Sequence, residues 1–198
     1  TDVSTGTFSV GPSTAPTPAN SNDTLTYRVM MQNQYVAPPA GATVPRESLW
    51  ITHTVGVSTV AAPAWYEVGV SSAGIGAMRQ KGTYAPGDGV HRYMPSIAVD
   101  KAGNAALGFT ASSKTLHPGL RYALRTPADT AGTLRPEAIL YSGGGSQNYT
   151  NRWGDYSAMS LDPNGCRFWF TSEYYASTGS NWRTRIGSFR GPASPQCP

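Results

Sequence analysis

The chain has 198 residues, with 15 Lys or Arg against 11 Asp or Glu, a formal charge of +4. Only 13% of residues are charged, while Gly (22) and Pro (16) are plentiful. Helix bundles need many long charged side chains and few helix breakers, so that class is excluded; the thin, scattered positive charge argues against nucleic acid, and no apolar run is long enough for a membrane span.

In chain order, residues 1–24 are polar, with Pro12, Pro16 and Pro18 among Ser, Thr, Ala and Asn. Such a segment cannot order itself by burial, and it is expected to be a linker, an extended segment or a loop draped over something else. Over 25–198 the texture changes to short apolar or alternating runs bounded by Gly, Pro, Asn and Asp. Strands are predicted at Thr26–Met31, Ser48–Val55, Ala64–Val70, Tyr93–Asp100, Ala105–Ser112, Leu120–Arg125, Glu137–Tyr141, Tyr156–Asp162, Arg167–Tyr174 and Arg183–Phe189. Each is rich in β-branched or aromatic residues, and none has the length or period of a helix.

A repeat lies within this string. The run from Tyr93 through Val99-Asp100-Lys101-Ala102-Gly103-Asn104 is echoed by Tyr156 through Leu161-Asp162-Pro163-Asn164-Gly165. After each comes a strand holding Phe-Thr, at Phe109-Thr110 and Phe170-Thr171, and then a strand of aromatic and basic residues. A unit of this size with up to four strands is the signature of a propeller blade. The aspartates suit hairpin turns, where a carboxylate accepts backbone N–H bonds and Gly supplies positive φ. Calcium would want six or more oxygens, and each loop offers one carboxylate.

Cys166 and Cys197 are too few and too far apart for a zinc site or a redox pair. In a Lys-poor chain rich in Ser, Thr, Gly and Tyr they read as one disulfide of an exported protein, with two unpaired thiols as the alternative. No nucleophile elbow, phosphate loop or metal-ligand cluster occurs, so neither cofactor nor metal is expected. His53, His91 and His117 stand singly. His53 alternates with Ile51 and Val55 and is expected to be a satisfied core histidine. Gly143-Gly144-Gly145-Ser146 reads as a flexible loop. Asn22-Asp23-Thr24 and Asn148-Tyr149-Thr150 match the N-glycosylation pattern, which arises often by chance.

Tyr (11), Trp (5) and Phe (5) concentrate in Tyr149–Tyr156 and Phe168–Tyr175, with Trp182 close behind. Tyr and Trp combine an apolar face with a polar tip, which suits stacking on sugars or anchoring a protein. Trp153, Tyr156, Glu173 and Tyr174 are therefore the candidate ligand-binding residues, expected to be accessible at a propeller mouth.

The blocks Leu25–Arg28, Arg46–Trp50, His53-Thr54-Val55, Trp65-Tyr66-Glu67, Gly82–Pro86, Ser96–Gly108, Arg152–Tyr175 and Trp182–Phe189 resemble the C-terminal part of a family of secreted, largely uncharacterised bacterial proteins. Those are large extracellular proteins with predicted β-propellers, distantly similar to the sialidase or BNR-repeat superfamily. The resemblance supports pairing of Cys166 with Cys197 and implies a long segment ahead of this chain. It also implies a possible glycosidase constellation of Asp155, Glu173, Tyr174 and the arginines Arg92, Arg121, Arg152, Arg183 and Arg185. Against that, Arg152 and Asp155 flank one turn and are expected to pair with each other, and the other arginines fall mainly on strands where they can cover apolar surface.

About ten strands make two and a half to three four-stranded blades, fewer than a closed propeller needs. The expectation is an all-β, incomplete propeller of an extracellular protein, completed by another chain, a missing N-terminal portion or self-association. Its expected role is non-catalytic binding or assembly, recognising glycan or protein. Part of a sialidase-like glycoside hydrolase, or a structural subunit of a surface assembly, are the alternatives.

Overall fold

Alternating side chains punctuated by Gly, Pro and Asx turns produce an all-β molecule. The computed structural model describes residues 9–26, 28–31, 33–37, 47–71 and 74–198. Among the described residues, thirteen strands form four antiparallel sheets. β1 (Thr14–Pro16) and β2 (Ser21–Asp23) make a short hairpin. The first large sheet runs β3 (Gln34–Val36), β4 (Ser48–Val57), β5 (Val60–Ser71), β6 (Gly74–Thr83). The second runs β7 (His91–Val99), β8 (Ala105–Ser113), β9 (Leu116–Arg125), β10 (Ala138–Tyr141), and the third β11 (Ala158–Leu161), β12 (Arg167–Tyr174), β13 (Arg183–Arg190). In each large sheet consecutive strands are neighbours, the meander of a propeller blade. The blades hold four, four and three strands and stay open, so the fold is an incomplete propeller.

The period of two along each strand serves two cores at once. Ile97 and Val99 of β7 with Leu107 and Phe109 of β8 meet Trp50 and Trp65 of the first sheet. Ala98 and Ala106, pointing the other way, meet Met159, Phe168, Phe170 and Phe189 of the third. β7 is therefore buried along its whole length. Gly108 admits the third sheet: a Cβ there would lie 2.5 Å from Phe170 Cδ2. The ladder between β7 and β8 shifts register between Tyr93 and Ser96, where Pro95 has no N–H to donate and Met94 adopts φ 50°.

Both repeat turns are hairpins. Asp100 Oδ1 accepts from the Ala102 and Asn104 N–H groups at 2.9 and 2.8 Å, and Asp162 Oδ1 from those of Cys166 and Arg167 at 3.1 and 3.2 Å. Gly103 and Gly165 take φ 83° and 72°. The turns also touch: the Lys101 N–H donates to the Gly165 carbonyl at 3.0 Å.

Cys166 is bonded to Cys197 across 31 residues. Closing a loop of that length contributes about 3–4 kcal/mol in the chain-entropy treatment.

Within residues 9–24, Ala15, Asn22 and Thr24 are wholly buried. Asn22 donates to the Tyr93 hydroxyl at 2.7 Å and accepts from Gln147 at 2.8 Å, so the folded chain does not present it for glycosylation. Residues 1–8 of the expected linker lie outside the described residues. Two expectations need correction. Among the described residues of Thr26–Met31 there is no strand: Val29 bridges to His53 and the Met30 N–H donates to the Thr52 carbonyl at 3.0 Å, and Leu25 sits at φ 45° just before them. The Gly143–Gly145 run is clamped: a Cβ on Gly143 would lie 2.0 Å from the Pro118 carbonyl oxygen, and one on Gly145 2.0 Å from the Ser177 carbonyl carbon.

Candidate functional site

The loop joining β10 to β11, the last residues of β12 and the approach to β13 enclose a cleft of about 500 Å³. Tyr149, Tyr156 and Trp182 line it with 56%, 40% and 59% of their surfaces exposed. Two chain features shape it. Gly154 (φ 33°) lets the loop turn, and its N–H donates to Glu173 Oε2 at 2.7 Å, tying loop to strand. Asp155 takes the Arg152 guanidinium at 2.5 Å, the pairing expected from their spacing. The Tyr156 hydroxyl accepts from Arg28 at 3.0 Å.

Glu173 brings a half-buried carboxyl to the cleft. Burial pushes its carboxyl above the usual range; the Gly154 N–H and Tyr175 pull it back, and the Asp155 charge raises it again. The Tyr175 hydroxyl is buried beside Tyr149 and Glu173 without a well-formed hydrogen bond to either, and burial raises its pKa.

Of the four candidate residues, Tyr156 and Glu173 reach the cleft as accessible or partly accessible groups. Trp153 is its floor, and it is fully buried. Its ring stacks on Tyr175 with centroids 5.8 Å apart, and its Nε1–H donates to Thr110 Oγ1 at 3.1 Å. The expectation of an accessible Trp153 is therefore wrong. So is that of Tyr174: alternation along β12 turns it away from Glu173 and into the core, edge-on to Tyr141 at 4.6 Å. The same alternation could have identified Tyr175 as the neighbour of Glu173. Tyr149 opens one aromatic-rich segment and Trp182 follows the other, yet nothing in the sequence distinguished them from buried neighbours.

Four of the five arginines do not gather at one site. Arg92 and Arg121 both bind Glu137, Arg152 binds Asp155, and Arg185 lies over the Tyr141 ring at 4.6 Å. His53 shares a hydrogen bond of 2.8 Å with the Tyr66 hydroxyl and stacks on that ring, and burial lowers its pKa. His91 Nδ1 accepts the Ala61 N–H at 3.3 Å. His117 Nδ1 shares 2.8 Å with Ser146 Oγ. Among the described residues no three His, Cys, Asp or Glu side chains come together as a metal site. Among the described residues, no helix is long and apolar enough to cross a membrane. No family model, curated protein or solved structure matches the chain.

Proposed function

We propose that this chain is a non-catalytic binding module of an extracellular protein and that the cleft beside Glu173 recognises glycan. The supporting observation is the set of three exposed aromatic rings, Tyr149, Tyr156 and Trp182, around a cleft with polar groups. Rings of this kind stack on the apolar faces of sugars, while Glu173 and the Arg152–Asp155 pair offer acceptors and donors to hydroxyls. Binding rather than hydrolysis is favoured because both carboxylates are engaged, Asp155 by Arg152 and one Glu173 oxygen by a backbone N–H. The disulfide supports an exported setting.

On a glycan array the protein is expected to bind, and Trp182→Ala and Tyr156→Ala each to weaken binding by about tenfold, as loss of an aromatic anchor does. Melting temperature should hardly change, since both rings are largely exposed. Failure to bind any glycan, or unchanged binding in both variants, rejects the reading. Release of fluorophore from a glycoside, abolished in Glu173→Gln, would favour the hydrolase instead.

A second reading, assembly, rests on the outer face of the third sheet. Trp169 and Ile186 lie there, 39% and 63% exposed, on the side opposite the Phe168–Phe170 core. We propose that a further sheet covers this face, as the third sheet covers the second, and completes the propeller; the likeness to secreted propeller proteins belongs with this reading. Light scattering should then show self-association or, in the native particle, a second chain. A monodisperse monomer without exposed apolar surface contradicts it.

A further inference from the structure

A second cleft, of about 950 Å³, lies between the first and second sheets beyond the opposite end of β7, beside the Asp100 turn. Trp50, Val99 and Pro127 give it apolar walls; Arg79, Lys101 and Arg125 bring positive charge, and Glu67, Asp100 and Asp129 negative charge.

Two arginines of the second sheet make the contrast that matters. Arg92 is 2% exposed, and its guanidinium makes five hydrogen bonds: two to Glu137, two to Asp88 and one to the Val90 carbonyl. Arg125, at the end of β9, is 5% exposed and makes one, from Nη2 to the Asp129 carbonyl at 3.2 Å. Its Nε is buried with no acceptor, while the guanidinium lies over Trp65 at 5.7 Å. A buried guanidinium with most of its fork unused carries a large desolvation penalty.

The charges of Glu67 and Asp129 favour the guanidinium through space without outweighing its burial, and neither carboxylate hydrogen-bonds to it. Glu67 is taken by Gln80 Nε2 at 2.5 Å and by Arg79 at 3.4 Å. Asp129 is held by Arg135 and by the Thr126 N–H, and Asp100 is spent on its own turn. Lys101 at the cleft has no ion pair among the described residues. Burial pulls the Arg125 pKa below its ordinary value, the direction expected of a cation short of partners.

We propose that this cleft is a binding site for an oxyanion-bearing ligand, a sulfate or phosphate group borne on a small polar molecule, with Arg125 as the buried anchor and Lys101 as the outer contact. The planar fork of arginine matches such groups, the compact lysine ammonium adds a point charge, and the volume suits a small molecule rather than a bare ion. The site uses none of the residues of the aromatic cleft and stands independently of the function proposed for it.

The test is titration of the full chain with inorganic sulfate, inorganic phosphate and a heparin-derived disaccharide at constant ionic strength. Binding is followed by calorimetry and by the ¹⁵N resonance of the Arg125 Nε–H. The resonance is expected to shift, with the sulfated disaccharide binding more tightly than either free ion. Lys101→Gln should weaken binding about tenfold, and Arg125→Met should abolish it. Free ions binding as tightly as the disaccharide would place the recognition in the oxyanion alone and overturn the small-molecule assignment. No response to any probe, or unchanged affinity in Lys101→Gln, overturns the site itself. Because Lys101 lies on a turn and carries no core contact, its variant decides the matter even if Arg125→Met fails to fold.

Discussion

Trp153→Ala will cost about 3–5 kcal/mol of folding stability, the range for emptying a buried aromatic site. The indole is completely enclosed, in a cluster with Ala15, Leu25, Met30, Tyr93, Met94 and Tyr175. It joins the N-terminal hairpin segment to β7 and to the cleft loop, so little nearby is free to collapse into the void. Removal also leaves Thr110 Oγ1 without the indole N–H. With small domains stable by only about 5–15 kcal/mol, such a loss consumes much of the total. Urea unfolding checks it, with Trp153→Phe expected to recover part of the loss by refilling volume. A penalty below about 1 kcal/mol, typical of sites outside a packed core, would show that the ring is not packed as described. With the expected loss of stability, any glycan binding lost in the alanine variant reflects the fold of the loop rather than a missing contact.

Arg92→Met is expected to destabilise by about 3 kcal/mol, the lower end for breaking a buried ion pair. The lower end applies because Arg121 still pairs with Glu137, and Asp88 keeps 43% of its side chain in water. The same network shapes the acid limb. Hydrogen bonds from Arg92 hold Asp88 at about 2, below its ordinary 3.8. Burial alone would raise Glu137, but Arg92 and Arg121 more than offset it and leave it below its ordinary 4.5. A carboxylate with a depressed folded pKa stabilises above its unfolded value and loses that contribution as pH falls through the folded one. Wild-type stability should therefore drop between about pH 4.5 and pH 2, and Arg92→Met should flatten that limb. Parallel acid profiles would remove Arg92 from the role.

What could be read from the sequence was whatever is fixed by local chemistry. The Asp100 and Asp162 turns declare themselves because a carboxylate, a glycine and flanking apolar runs suffice to define a hairpin. β7 through β9 and β11 through β13 follow from their alternation. β6 was missed because Gly74, Gly76 and Gly82 with Arg79, Gln80 and Lys81 carry neither alternation nor apolar weight, and its pairing with β5 holds it in place. β1 and β2, three residues each, exist through their partners and through Asn22 at the Tyr93 hydroxyl. The cleft was half legible. Aromatic density located it, but whether a ring faces solvent depends on a loop with no period, and so Trp153 was placed outside while Trp182, noted among the aromatics, was not named as a binding residue. Arg125 gave no sign at all, since an unused hydrogen-bond donor is a property of neighbours, not of sequence.

The burial of the tryptophans gives the molecule two optical populations. Trp50, Trp65 and Trp153 are 4%, 0% and 0% exposed, while Trp169 and Trp182 are 39% and 59% exposed. A water-borne quencher reaches only the second pair, one ring on the face proposed for assembly and one at the cleft proposed to bind glycan. Intrinsic fluorescence thus reports the interior by its emission wavelength and the two surfaces by their quenching, with no label added.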